Sequence, residues 1–516
     1  MVRLSIFSTP LLVVLLASLL PLAHAASLPS SNDWTNVNYL KQIDLTGSTS
    51  HTLTTLSIKP GSTVSAASRS SSPYYLLLSA EEADHLSWSR LTVKPALDSP
   101  LASGSGWDYK GGLRPVLPFT PLGPLDGDAS SILFETQIPS DVLGAEGATL
   151  TLETTLNHIT SPLPESVKQT QPQLFLWTGD STLRTPYPTI SGRIKVKSPS
   201  PKIASFSPSD ATKSGSIVTF GPFEKHDSHT PNTPIPQGKV HFQVDAPQAT
   251  IISLDRVAEI SHWGDALSIQ DRILLRNTGP QLKGHFSRIE HQMASFYHKS
   301  SGSALSSLTF TLPPGAKDPW FMDQIGNVST SRFRPSPPNP SILTASTSGL
   351  ASSAALTSKM SLLELQPRFP LLGGWNYSFS VGYTLPLSAG GWTKCLRGSS
   401  DFITAVPLFT PLKDVAVDSV STSIVLPEGA TRLSIELPYE VDKLDYGVTK
   451  TYLDTLGRPA IRIKHKNCSP EHAQLVYVKY TLTTRANMIK VAAVTAVTAA
   501  LLVLAAVLQR VETKIR

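Results

Sequence analysis

Trp375-Asn376-Tyr377-Ser378-Phe379-Ser380-Val381-Gly382-Tyr383-Thr384-Leu385 sets a large apolar side chain against a polar or small one through six repeats. Successive side chains of an extended strand point to opposite faces, so this stretch has one face for a core and one for water. The same period recurs at Val240, Phe242 and Val244, at Leu308, Phe310 and Leu312, at Leu433, Ile435 and Leu437, and at Val476, Val478 and Tyr480. Shorter versions lie upstream, at Leu150 with Leu152 and at Ile194 with Val196, separated by turn-rich stretches at 161–164 and 198–201. Helical periodicity is scarce. The 42 prolines in 516 residues exceed the usual proportion of about 5% and favour short strands and turns over helices.

One-sided alternation is what antiparallel sheets with a single buried face produce. The chain is therefore expected to be an all-β region of two antiparallel β-sandwich-like domains, 26–235 and 236–485, divided where three prolines cluster in 230–237. Two segments poor in large apolar residues, 61–72 and 334–360, read as surface loops. No internal repeat is legible.

The ends have their own chemistry. Arg3, an apolar run from Leu11 to Leu20 and the triplet Ala23-His24-Ala25 have the form of a signal peptide cleaved after residue 25. Residues 491–508 contain no charge and no proline, and as a helix would rise about 27 Å, close to the thickness of a bilayer's hydrocarbon core. A single C-terminal transmembrane helix over 489–509 follows. The signal peptide directs what precedes it into the lumen and leaves 510–516 as a cytosolic tail. Within the helix Ala492, Ala496 and Ala500 lie four apart, a helix-packing face that lets another helix approach closely.

The net charge of +6 comes from scattered Lys and Arg without a basic run, so no nucleic-acid partner is implied. The two cysteines, Cys395 and Cys468, fit neither a redox motif nor a zinc site; in an oxidising compartment they are expected to form one disulfide. Asp126-Gly127-Asp128 has the Asp-x-Asp form by which glycosyltransferases hold a divalent metal, but glycine between aspartates is also what tight turns use. The turn reading is preferred. His226, Asp227, His229, His285, His291 and His298 are spaced too irregularly for a metal motif and read as solvated loop residues. No nucleophile elbow or phosphate-binding glycine loop is present, so no catalytic, cofactor or metal residue is assigned. Three sequons, at Asn327, Asn376 and Asn467, are candidate glycan acceptors; at Asn467 the middle residue is Cys468, whose early pairing would compete with glycosylation.

Six segments occur in an order that resembles the ribophorin I family: Glu259-Ile260-Ser261-His262-Trp263-Gly264-Asp265, Leu282-Lys283-Gly284-His285-Phe286-Ser287-Arg288, Ile325-Gly326-Asn327-Val328-Ser329-Thr330-Ser331, Pro367-Arg368-Phe369-Pro370-Leu371-Leu372-Gly373-Gly374-Trp375, Leu426-Pro427-Glu428-Gly429-Ala430 and Thr451-Tyr452-Leu453-Asp454-Thr455-Leu456-Gly457-Arg458-Pro459. Upstream the resemblance thins to Pro186-Tyr187-Pro188-Thr189 and Phe220-Gly221-Pro222-Phe223, and it covers about residues 180 to 480. It implies a non-catalytic subunit of the oligosaccharyltransferase complex, single-pass type I in the endoplasmic reticulum membrane with its bulk in the lumen. That complex transfers a preassembled glycan from dolichyl diphosphate to Asn-x-Ser/Thr sequons of nascent proteins. The implied partners are the other subunits, including the many-span catalytic one, together with nascent polypeptides; the implied role is scaffolding and acceptor handling, with no cofactor. The 334–360 loop looks inserted relative to animal members, and the tail is shorter than theirs, so a ribosome contact is not carried over. Trp107-Asp108-Tyr109 is similar to part of the catalytic subunit's Trp-Trp-Asp-Tyr-Gly motif, but the first Trp is missing and Lys110 precedes Gly111. The competing readings are a luminal metal-dependent glycosyltransferase using Asp126 and Asp128, and a free-standing luminal cargo receptor or lectin.

Overall fold

In the computed structural model the described residues are 27–61, 71–95, 115–144, 147–231, 233–296, 302–339, 343, 360–396, 399–451, 454 and 456–510. The expected signal peptide, the Trp107-Asp108-Tyr109 tripeptide, His298 and most of the 61–72 and 334–360 loops lie outside them, as does the tail from 511 onward. The alternating stretch forms the strand Asn376–Pro386, in which Tyr377, Phe379, Val381, Tyr383 and Leu385 are buried. Its polar neighbours face outward, and it pairs antiparallel with Ala266–Asn277 along its whole length.

Two separate hydrophobic cores organise the chain. The first is covered by an eight-stranded sheet. In it Trp34–Asp44 pairs antiparallel with Thr49–Pro60, which pairs with Ala148–Asn157, which pairs with Leu86–Lys94. On its other side Trp34–Asp44 runs parallel to Thr189–Lys197, which pairs antiparallel with Ile217–His226. A three-stranded sheet (Ser71–Ser79, Asp128–Pro139, Thr120–Leu125) and a four-stranded sheet built on Gln173–Asp180 and Gln237–Val244 contribute Tyr74, Phe134, Trp177 and Phe242 to the same core.

The second core repeats this plan in a seven-stranded sheet, which among the described residues lacks a counterpart of the short edge strand Val116–Leu117. Ala249–Ser261 pairs antiparallel with Ala266–Asn277, then Asn376–Pro386, then Lys317–Asp323. On its other side it runs parallel to Ala416–Val425, which pairs antiparallel with Arg458–Cys468. A three-stranded sheet (Leu308–Leu312, Ser361–Leu365, Ser331–Arg334) again takes its middle strand from later in the chain than both neighbours, as in the first unit. A four-stranded sheet built on Asp401–Pro407 and Leu475–Thr481 completes the core. The chain is thus two tandem copies of one β fold, a repeat invisible to sequence patterning. Each large sheet carries one parallel pair, so it is not purely antiparallel.

The division between the cores also differs from the expected 235/236. Gln237–Val244, taken as opening the second domain, pairs with Gln173–Asp180 and buries Val240, Phe242 and Val244 in the first core. The cores part after Val244. The proline cluster marks a turn inside the first copy.

The copies stack head to tail. The first copy's hairpin end, where Trp34–Asp44 turns into Thr49–Pro60, meets the end of the second copy where Ala416–Val425 begins and Arg458–Cys468 finishes. Ser48 donates from N and Oγ to the Asp414 carbonyl at 3.1 and 2.6 Å, and His158 Nε2 lies 2.7 Å from Asp418 Oδ1. Asn157 Nδ2 donates to Asn467 Oδ1 at 2.7 Å and to the Cys468 carbonyl at 3.2 Å. Further along the seam Gln169 exchanges two bonds of 2.9 Å with the Ser287 backbone. A cleft of about 430 Å³, lined by Asp44, His51, Trp88, Glu153 and Glu471 among others, opens beside these contacts.

Candidate functional site

The equivalent hairpin end of the second copy meets no further β unit among the described residues. Ser261 and Ala266 are paired, leaving residues 262–265 as the turn. Ser261 Oγ accepts from the Gly264 N–H at 3.2 Å, and Asp265 takes a positive φ of 46° to close it. The Asp265 carboxylate accepts from Ser388 N and Oγ at 2.9 and 2.5 Å. These bonds hold Trp263 out at the tip, 62% exposed. His262 folds the other way, with Nε2 2.7 Å from Tyr480 Oη and its ring edge-on to Phe402 at 4.6 Å. Burial lowers the His262 pKa against the opposing pull of Asp265, favouring the neutral imidazole.

Two more turns converge there. Residues 426–430 leave the strand Ala416–Val425 and are tied down by the Leu426 N–H bond to the Pro459 carbonyl at 2.9 Å. Gly429 adopts φ +80°, and a Cβ on it would come within 2.8 Å of Ala486 Cβ at the start of the C-terminal helix. Glycine is required twice over, by the backbone and by the helix. Arg458 ion-pairs with Glu259 and, at 3.1 Å, with Asp454, while Glu428 Oε1 accepts from the Leu456 N–H at 2.6 Å. Burial would lower the Arg458 pKa, but Glu259 and Asp454 outweigh it and raise it. The result is a small cleft of about 50 Å³ lined by Ser261, His262, Trp263, Glu428, Arg458 and Ala486 among others. Arg458 is committed to Glu259 and Asp454, and Glu428 to a backbone N–H. Such an arrangement fixes the shape of a surface rather than offering a free acid or base.

From this cleft the helix Thr484–Arg510 departs, 27 residues or about 40 Å long. It is long and apolar enough to cross a membrane. Ala492, Ala496 and Ala500 are all exposed on it, so nothing in the described chain packs against that face.

The residues flagged from sequence are scattered. Asp126 and Asp128 flank Gly127, which has φ 79° in the turn between Thr120–Leu125 and Asp128–Pro139. Asp126 is exposed, whereas Asp128 accepts from Ser130 N and Oγ, Ser131 Oγ and His229 Nε2 at 2.7 to 3.0 Å. Burial pushes the Asp128 carboxyl up, but these bonds outweigh it and hold it well below the usual carboxylate range. His229 was expected in solvent and is instead buried, because it bonds Asp128 across sheets. His226 is half-buried with Nε2 3.0 Å from the Leu183 carbonyl, Asp227 and His285 are exposed, and His291 is half-buried. Among the described residues no group of three or more His, Cys, Asp or Glu could hold a metal ion.

The expected disulfide is not formed. Cys395 is exposed and Cys468 buried, both as free thiols, on strands of different sheets. Burial pushes the Cys468 thiol up to about 12. Asn327 and Asn376 are exposed. Asn467 is not available as an acceptor in the fold: its amide accepts from Asn157 and donates to the Leu86 carbonyl at 3.0 Å, and Ser469 of the same sequon is fully buried. Sequence reasoning did not link Glu259, Glu428, Gly429 and Arg458 to the C-terminal helix, although all lie in segments it had singled out. It missed the buried Arg256–Asp271 pair, for which one Arg and one Asp in separate strands give no signal.

Comparison with known proteins matches residues 34–509 to Ribophorin I. Dolichyl-diphosphooligosaccharide–protein glycosyltransferase subunit 1B of Oryza sativa subsp. japonica is 31% identical over 343 residues, 66% of this chain and 65% of that protein. Subunit 1 from Caenorhabditis elegans is 26% identical over 351 residues, 67% of this chain and 54% of that protein. The matches thus span less than two thirds of these relatives' length. An M1 zinc metallopeptidase from Deinococcus radiodurans aligns structurally over 45% of this chain and 42% of its own, at 11% identity and a TM-score of 0.22, too low to carry an argument. With the family match extending from the first described strand through the C-terminal helix, the chain belongs to the Ribophorin I family.

Proposed function

We propose that this chain is a non-catalytic, scaffolding subunit of an oligosaccharyltransferase complex of the endoplasmic reticulum membrane, type I in orientation, with the β body in the lumen. The observation that carries the reading is the kinship with proteins named as subunit 1 of the dolichyl-diphosphooligosaccharide–protein glycosyltransferase. It is supported by a helix whose small-residue face, Ala492, Ala496 and Ala500, has no partner within the described chain. A neighbouring helix of the many-span catalytic subunit would pack there. Of the two carboxylates an enzyme reading would enlist, Asp128 is engaged by two serines and His229, while Asp126 stands exposed on the turn.

Depletion should lower sequon occupancy on many secreted glycoproteins, through loss of the complex. Leu at Ala492, Ala496 and Ala500 together should reduce recovery of the catalytic subunit with this chain. Asp128→Ala removes a structural bond network, whereas Asp126→Ala, at an exposed position, should leave occupancy unchanged. Loss of transfer in Asp126→Ala with the complex intact would overturn the non-catalytic reading.

A further inference from the structure

We propose that the hairpin end of the second copy docks on the headgroup layer of the bilayer that its own helix crosses, with Trp263 and Leu456 immersed in the interface. Three observations converge. The first is distance along the helix. If the uncharged run 491–508 fills the hydrocarbon core, Ala486 stands five residues, or about 7.5 Å, above its luminal edge. The polar layer on each side of the core is about 5 to 8 Å deep. Ala486 lines the same cleft as Trp263, so that cleft lies at the depth of the headgroups.

The second observation is surface chemistry. Trp263 is 62% exposed and Leu456 70% exposed, and the bond from Leu456 N to Glu428 sets the two turns around one cleft. Val448, also exposed, lies against Gly457 in the neighbouring strand pair, where a Cβ would meet its Cγ1 at 2.7 Å. Met488 and Ile489 continue the apolar surface onto the first turns of the helix, and Arg485 beside them is an exposed cation suited to lipid phosphate. An indole held at the tip of a turn, with an exposed cation on the nearby helix, is what a water–lipid boundary selects.

The third is the internal repeat. Each copy ends its last core strand, Gln237–Val244 or Leu475–Thr481, and passes the chain directly to what lies beyond its hairpin end. In the first copy that is the second copy, which covers the hairpin end through Ser48, Asn157 and His158. In the second copy it is the membrane helix, three residues after Thr481. The bilayer takes the place that a third copy would occupy.

This inference rests on the helix crossing a membrane and not on the transferase reading; normal sequon occupancy after depletion would sink that reading and leave this one untouched. The test uses the full chain in proteoliposomes containing phosphatidylcholine brominated near the headgroup end of its acyl chains. Trp263 is one of eight tryptophans, so the brominated lipid should quench a minor share of the emission, and Trp263→Phe should abolish most of that share. Equal quenching in both proteins overturns the proposal. A photo-reactive residue at position 263 in native membranes gives the second readout: lipid adducts are expected, and an adduct to another protein as the main product overturns it.

Discussion

Asp271→Ala should cost the second copy more stability than removing both members of its ion pair. Arg256 and Asp271 face each other on adjacent central strands with side chains 0% and 2% exposed. The guanidinium donates to both Asp271 oxygens at 2.6 and 2.5 Å, to the Pro407 carbonyl at 2.9 Å and to Thr410 Oγ1. It thereby ties the first two strands to the segment that leads into their parallel neighbour Ala416–Val425. Removing the carboxylate leaves a cation in an apolar core with only dipolar partners, a change that costs about 3 to 5 kcal/mol. Arg256→Met with Asp271→Leu removes both charges and leaves chiefly the Pro407 carbonyl unsatisfied, about 1 to 3 kcal/mol. Against a domain stability of about 5 to 15 kcal/mol, the single change is the graver one. Pulse proteolysis of the full chain across a urea series, read on peptides from residues 249–480 with first-copy peptides as the control, measures both. A loss under about 1 kcal/mol for Asp271→Ala, or a double variant weaker than the single, would refute the reasoning.

Three further outcomes follow from the geometry. Glycosidase digestion should show glycans that Asn327→Gln and Asn376→Gln each remove, whereas Asn467→Gln should leave the mass of the glycan complement unchanged and weaken the seam by about 1 to 3 kcal/mol. Thiol titration of the unreduced protein should find two thiols, Cys395 reacting in the native state and Cys468 only on unfolding, because burial lifts the latter to about 12; no reactive thiol after denaturation would mean that a bridge exists. His472 is buried, and burial first, then neighbouring His465, lowers its pKa from 6.5 to about 4. The unfolded chain therefore takes up a proton that the folded chain refuses. Its contribution is fully present above pH 6.5 and is lost as pH falls toward 4, by about 3 kcal/mol. His472→Gln should flatten that part of the stability profile; an unchanged slope would show that other groups carry it.

The strands were legible because alternation is a local consequence of a sheet with one wet face, and Tyr377 to Leu385 bury as their period requires. The domain boundary was not, because prolines at 231, 234 and 236 mark a turn equally well inside a domain or between two. Which core Gln237–Val244 joins depends on its partner Gln173–Asp180, some sixty residues earlier, and no local pattern encodes that choice. Distance also hid the true environment of Asn467 and His229. Each looks like an ordinary surface residue until Asn157 and Asp128, 310 and 101 positions away, are folded against it.

The internal repeat escaped notice for a related reason. A strand interior asks only for apolar residues of suitable volume at every second position, and many sequences satisfy that demand. Two copies of one fold can therefore share nearly all their strand pairings and little recognisable sequence. Turns are less forgiving: Gly429 must accept φ +80° against Ala486, and Asp265 must take φ 46° in the Trp263 turn while its carboxylate holds Ser388. The described residues of all six segments that resemble the family fall on turns or strand ends of the second copy. Three of them, around residues 259–265, 426–430 and 451–459, meet where the helix begins. The other three lie toward the opposite end, where Ser287 bonds Gln169 of the first copy and Arg368 bonds Asp323 at 2.5 Å. Recognisable sequence thus concentrates at the two ends of the second copy, one of which contacts its twin through Ser287 and the other, by our inference, the membrane.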